Sequence, residues 1–217
     1  MTGVRKSEAP SQRRSWSRSR RVSSQMVESS RRSVAEQPIT EVEVGEAAFL
    51  CLKGEGEPGG AAFREGVRRI YAVLSRLRRA YRRAGGKGFH PGPLECLWDP
   101  DEAASTPRDR WHWRLLIRVP DTVTEATLDA ARIAVEDPRG TGPAPVWLLR
   151  WREGRAIETL HVGPHQTVTA AYDALEAYAQ VHGLVVIGPA HEIFLSDPRR
   201  TGLGRPRTQV RTPVREQ

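Results

Sequence analysis

One succession of patterns occurs twice along this 217-residue chain, and it leaves few folds open. A β-rich run ends at a Gly/Pro loop, a stretch of helical period follows, and further β-rich runs come after it. The first copy takes in residues 41–53, the loop at 54–58, a helix over 61–83, and strands at 94–98 and 111–119. The second takes in residues 146–162, Gly163-Pro164, a helix over 167–182, and strands at 184–187, 191–195 and about 208–214. Repetition of a strand–helix–strand–strand unit predicts an α+β domain, a pseudo-twofold tandem of two modules. In that reading the modules share one antiparallel sheet with helices on one side. The cleft between the halves is then the default pocket.

Within the first helix, Val67, Ile70 with Tyr71, Leu74, Leu77 and Tyr81 recur at helical spacing. Arg64, Arg68, Arg69, Arg76, Arg79, Arg82 and Arg83 are left mostly outward, which reads as a solvated face. Gly85-Gly86-Lys87-Gly88 stops this helix. It is no phosphate loop, because no Gly-Lys-Ser/Thr ending and no following helix accompany it. Residues 121–135 predict a further helix with Asp121 or Thr122 as its N-cap. Residues 146–152 and 155–162 predict a hairpin turning at Glu153-Gly154.

Charge separates the chain into two parts. Nine Lys or Arg against three Glu within residues 1–40 place +6 of the net +8 there, leaving +2 for the rest. Residues 1–37 are Ser/Arg-rich, lack apolar periodicity and are expected to be disordered, with the folded domain at 38–217. Such an arm either touches nucleic acid weakly or is idle, and Trp16, its one aromatic, is too little for a stacking platform. Cys51 and Cys96, without metal-ligand spacing, suit a reducing cytoplasm. No apolar run reaches membrane-spanning length, and the basic N-terminus has no hydrophobic stretch behind it.

The candidate site residues come from the second copy first. Ile193 alternates with Glu192 and Phe194, so the carboxylate and the ring share one strand face. That pairing suits a pocket for a flat or cationic small molecule; the alternative is a Glu at a sheet edge facing solvent. Aligning the copies pairs Glu95 with Glu192, one carboxylate from each half facing a shared groove; otherwise Glu95 makes a cross-strand pair with an arginine. Trp98, Trp111, Trp113, Trp147 and Trp151 either form a tryptophan-rich core or surround one cleft as an aromatic cage, completed by Phe194 and Tyr71. The histidines fit structural roles, with no helical metal pair. There is no serine-nucleophile motif, Cys/His pair or dinucleotide fingerprint, so neither metal nor cofactor is expected.

The block His191-Glu192-Ile193-Phe194-Leu195-Ser196-Asp197-Pro198-Arg199-Arg200, followed by Arg207-Thr208 and Pro213-Val214, resembles the signature of the GyrI-like small-molecule-binding family. Pro93-Leu94-Glu95-Cys96-Leu97-Trp98, Trp111-His112-Trp113 and Leu160-His161-Val162-Gly163-Pro164 extend the resemblance over roughly residues 41–215. Within that family the blocks are most similar to the cyclopropanoid cyclopropyl hydrolases, which open the strained ring of DNA-alkylating natural products. The resemblance implies a planar aromatic substrate, Glu192 as the water-positioning base, and Tyr71, Glu95, Trp98, Trp111, Trp113 and Phe194 as binding residues. Departures occur at Phe194 in place of Tyr, Asp99 in place of Trp, Ser75 in place of Tyr, and Ala190 in place of the first His of a pair. They thin the cage and remove a hydroxyl donor, which keeps a non-catalytic drug- or toxin-sequestering protein open as the alternative. No helix-turn-helix pattern points to a regulator.

Overall fold

A computed structural model describes residues 37–99, 106–135, 144–196 and 205–217. The expected basic arm and the Asp197–Arg200 part of the signature block lie outside the described residues. In chain order the elements are β1 (Thr40–Glu55), α1 (Ala61–Arg83), β2 (Leu94–Trp98), β3 (His112–Val119), α2 (Glu125–Ile133), β4 (Trp147–Val162), α3 (Thr169–Val181), β5 (Leu184–Val186), β6 (Ala190–Phe194) and β7 (Arg207–Glu216).

All pairings are antiparallel, in the order β4-β1-β3-β2-β6-β7-β5, and β7 also pairs with β4. That extra pairing closes six strands into a barrel, so the expected single sheet is curled round on itself and most of its edges are removed. Closure explains why residues 47–52 of β1 are all buried instead of alternating. Ala48, Leu50 and Leu52 pack outward beneath α1, together with Ile70, Leu77, Leu115 and Ile117. Ala47, Phe49 and Cys51 pack on the other face against Leu97 and Leu116, with Trp147, Leu149 and Trp151 beside them. A third apolar cluster holds α3 on β4, β5 and β7 through Ile157, Leu175, Val210 and Val214.

The ends of α1 follow from its sequence. Its apolar stripe is Phe63, Val67, Ile70, Val73, Leu74 and Leu77. Gly85 takes φ +86°, and Gly86 N–H donates to Tyr81 O while Gly85 N–H donates to Arg82 O, which closes the last turn.

Two local expectations are corrected. The second helix begins at Glu125 with Thr124 as its N-cap, whose hydroxyl accepts from Thr127 N–H. Asp121 is drawn elsewhere, accepting from Ala48 N–H and facing Arg150. Residues 146–162 do not turn at Glu153-Gly154; Trp147–Val162 is one strand, with Gly154 at φ +79°. The 16-residue β1 keeps the same register on both sides of this point, from Thr40 opposite Glu158 to Cys51 opposite Trp147, so a long template overrides the local turn signal.

Candidate functional site

β2 and β6 meet between the ground covered by α1, which packs chiefly on β1 and β3, and that covered by α3. In their register Cys96 lies opposite Glu192, Trp98 opposite Ala190 and Leu94 opposite Phe194. Facing partners share a sheet face, so Glu192 and Phe194 lie together on the outer, helix-bearing face, as the alternation predicts. Glu192 is only 2% exposed. It is not an edge carboxylate facing water.

Two side chains hold it. Tyr172 of α3 donates its hydroxyl to Oε1 at 2.8 Å, and His165 donates Nε2–H to Oε2 at 2.9 Å. Burial first, and then the charge and hydrogen bond of Glu192, raise the Tyr172 hydroxyl well above its usual value, so it stays a donor. For His165, burial opposes the charged ring, but the hydrogen bond and charge of Glu192 outweigh it despite Arg108, and its pKa is raised. The His165 side chain is 38% exposed, so it links the buried carboxylate to water.

The loop before α3 aims this histidine. Residues His165–Thr167 form a single 3-10 turn. The buried His161 ring reaches Pro164 O at 3.1 Å and Thr167 Oγ1 at 3.3 Å, and Gly163 N–H donates to Pro206 O. His161 therefore has the structural role expected of it, and that role is to fix the turn that presents His165.

Aromatic rings continue from His165. Trp98 meets it edge-on at 6.4 Å between centroids, stacks on Phe63 at 5.6 Å and 12°, and meets Trp111 edge-on at 6.0 Å. Trp111 donates its indole N–H to Thr106 O, and Arg108 lies over its ring at 5.3 Å. The Trp98 indole nitrogen is buried without a hydrogen-bond partner, a donor unspent within the described residues.

Other sequence candidates are placed apart from this group. Glu95 lies opposite Ile193, one residue out of step with Glu192, so the two carboxylates are on opposite faces of the sheet. The expected shared groove is therefore absent. On the inner face Glu95 Oε2 is 2.9 Å from His191 Nε2, while His191 Nδ1 is 3.1 Å from both oxygens of Glu153. Arg211 bridges Glu153 at 3.0 Å and Glu158 at 2.7 Å. With carboxylates at both nitrogens the His191 ring carries both protons. Burial opposes its charge, yet Glu153 and Glu95 prevail and its pKa is raised.

The five indoles also divide between faces. Trp98, Trp111 and Trp113 belong to the outer cluster, whereas Trp147 and Trp151 line the inner one. Trp113 meets Phe63 edge-on at 5.4 Å, and its six-membered ring fills a notch where Gly54 and Gly66 have no Cβ. Tyr71 is half-buried on α1 and lines a cavity with Leu74, Ser75 and Arg78, whose lining includes none of Glu192, His165 and Trp98.

Tyr172 and His165 were missed as site residues. The repeat carried the signal for Tyr172, since Ala171-Tyr172 stands in α3 where Ile70-Tyr71 stands in α1. His165 follows the Gly163-Pro164 loop, the position from which a strand-to-helix connection faces a cleft. Among the described residues no group of three or more His, Cys, Asp and Glu side chains is arranged to hold a metal ion. No helix among them is long and apolar enough to cross a membrane.

No protein-family model matches the chain, and no curated protein matches it. Solved structures do. A hydrolase from Listeria innocua is 27% identical with a TM-score of 0.69, over 87% of this chain and 98% of its own. An uncharacterized conserved protein from Listeria innocua is 28% identical with a TM-score of 0.72, over 87% and 98%. The C-terminal domain of EcmrR shares the fold at 10% identity, with a TM-score of 0.57 over 84% and 99%. The closed antiparallel sheet with its three helices is thus consistent with a GyrI-like α+β fold, and Glu192 is buried where β6 pairs with β2.

Proposed function

We propose that this chain binds a planar, electrophilic aromatic compound above the β2–β6 seam and adds water across its cyclopropane ring. The observation that carries the reading is Glu192, a 2%-exposed carboxylate held by Tyr172 and His165 beside a tier of aromatic rings. Its likeness to the Listeria innocua hydrolase over 98% of that chain supports a hydrolytic role. The strand order supports a tandem origin for the site, since β1-β3-β2 in one half has its counterpart in β4-β7-β6 in the other.

Each carboxylate oxygen has a second lone-pair direction beyond the bond it already accepts, so Glu192 can also hold a water. The water oxygen attacks the ring methylene while Glu192 takes its proton, which is released to solvent after the ring has opened. The bond from the methylene to the dienone carbon breaks. Its electron pair moves into the ring system, turning the dienone oxygen into a phenolate that then gains a proton. The net change is addition of one water. Trp98, Trp111 and Phe194 supply the stacking and desolvating wall, and the unspent Trp98 N–H is the donor for the oxygen that gains charge.

A sequestering protein without turnover is the second reading, favoured by Phe194 at the position where the resembling hydrolases have a hydroxyl-bearing ring. One experiment separates the two. The full chain is incubated with a cyclopropapyrroloindole-type alkylator and the water adduct is followed by mass spectrometry. Wild type is expected to produce it, and Glu192→Gln to bind the compound with no turnover. Compound left intact by wild type while quenching tryptophan fluorescence refutes hydrolysis and leaves the sequestering reading.

A further inference from the structure

The C-terminal half of α1 carries charge that nothing among the described residues neutralises. The helix has eight arginines against Glu65 alone, in a folded part whose net charge is +2. Glu65 is taken by Arg68 and Arg69. Among the described residues no partner faces Arg76, Arg78, Arg79, Arg82 or Arg83, although like charges three and four residues apart on a helix repel.

Three of these arginines converge on a cavity of about 440 Å3. Arg78, Arg79 and Arg82 supply charge, Ser75 a hydroxyl, and Tyr71, Leu74 and Pro91 an aromatic and apolar wall. Arg78 Nε is buried and has no hydrogen-bond partner among the described residues. A buried donor left unpaired is costly, and an anion in the cavity would satisfy it. Guanidinium groups match phosphate oxygens two at a time, and three of them suit a dianion. The volume is that of a small-molecule site, with a polar end and an apolar wall rather than a flat cationic track.

We propose that this cavity binds a small organic phosphate, with its phosphate oxygens among Arg78, Arg79 and Arg82 and its organic part against Tyr71, Leu74 and Pro91. It shares no lining residue with the Glu192 group, so the proposal stands independently of the hydrolytic reading. Arg79 also borders a second cavity of about 530 Å3 toward α2, where Arg76 and Arg83 point, and this flank serves as the internal control.

The test is isothermal titration of the full chain with adenosine diphosphate, inorganic pyrophosphate, adenosine and a short DNA duplex at about 0.15 M salt, where unspecific attraction is screened. Adenosine diphosphate is expected to bind more tightly than pyrophosphate, and adenosine not at all. The pair Arg78→Gln with Arg82→Gln is expected to weaken binding about tenfold or more, from the loss of charge-assisted bonds. Arg76→Gln with Arg83→Gln is expected to change it less than about threefold, as distant surface charges do. Circular dichroism checks that both variants fold. Equal loss from both pairs, or no heat with adenosine diphosphate while duplex DNA binds, overturns the proposal in favour of a diffuse polyanion surface. No binding of any probe by the folded wild type overturns it outright.

Discussion

Substituting Gly66 by Ala sets two effects of opposite sign against each other. Gly66 lies inside α1, where a helix interior favours Ala over Gly by about 1 kcal/mol. A Cβ there, however, would sit 2.6 Å from Cη2 and 3.1 Å from Cζ3 of Trp113, and 3.2 Å from Leu115 Cδ1. The indole is already confined, because Gly54 approaches the same six-membered ring even more closely and Phe63 meets it edge-on. Overpacking of this kind costs about 1–3 kcal/mol, and a rigid pinned ring puts it in the upper part of that range. The net is a loss of about 1–2 kcal/mol, or a Tm lowered by about 2–8 °C for a domain of this size. Differential scanning calorimetry measures it, and a second pair in a Trp113→Leu background completes the cycle. There the obstruction is gone and Gly66→Ala should raise Tm. A Tm raised in the wild-type background, or the same shift in both, would refute the view that Trp113 is a wedge between Gly54 and Gly66 rather than a free wall for ligand.

Two further substitutions report on the buried carboxylates. Tyr172→Phe removes one charge-assisted hydrogen bond to Glu192 and should cost about 1.5–3 kcal/mol by urea unfolding, with reduced turnover or ligand affinity. On the inner face, the raised pKa of His191 means that its stabilisation is complete below its ordinary value of 6.5 and is lost as pH rises through the folded value. For Glu153, burial works against its charge, but His191 and Arg211 hold its pKa below 4.5, so its contribution is present above 4.5 and is lost as pH falls through the lower folded value. The groups facing this pair are Glu95 from β2 and Arg211 from β7, with Glu158 beyond. Unfolding free energy should therefore decline above neutral pH in wild type, and His191→Gln should flatten that decline; an unchanged alkaline slope would count against the charged ring.

Much of this molecule was legible in local pattern. The helical period over Ala61–Arg83 gave α1 to the residue, and the alternation at Glu192, Ile193 and Phe194 placed the carboxylate and the ring on one face. These properties are set by the backbone's own repeats of 3.6 and 2.0 residues, which act over a few neighbours. What failed was long-range. Glu153-Gly154 has turn chemistry, yet pairing with Thr40–Cys51 of β1 keeps it in a strand. Glu95 and Glu192 part company over a one-residue offset between β2 and β6, which no local feature encodes. Barrel closure through β4 and β7 sends Trp147 and Trp151 to the inner face, away from Trp98 and Trp111.

The sequence by itself determined most of the helix and strand segments and that Glu192 has an aromatic neighbour on its own strand face. Only the tertiary structure decided what touches that carboxylate, because Tyr172 and His165 stand 20 and 27 residues away along the chain. Their meeting depends on how α3 and its preceding turn settle over the closed sheet, and that is fixed by burial and strand register summed over the whole domain, not by any short stretch of residues.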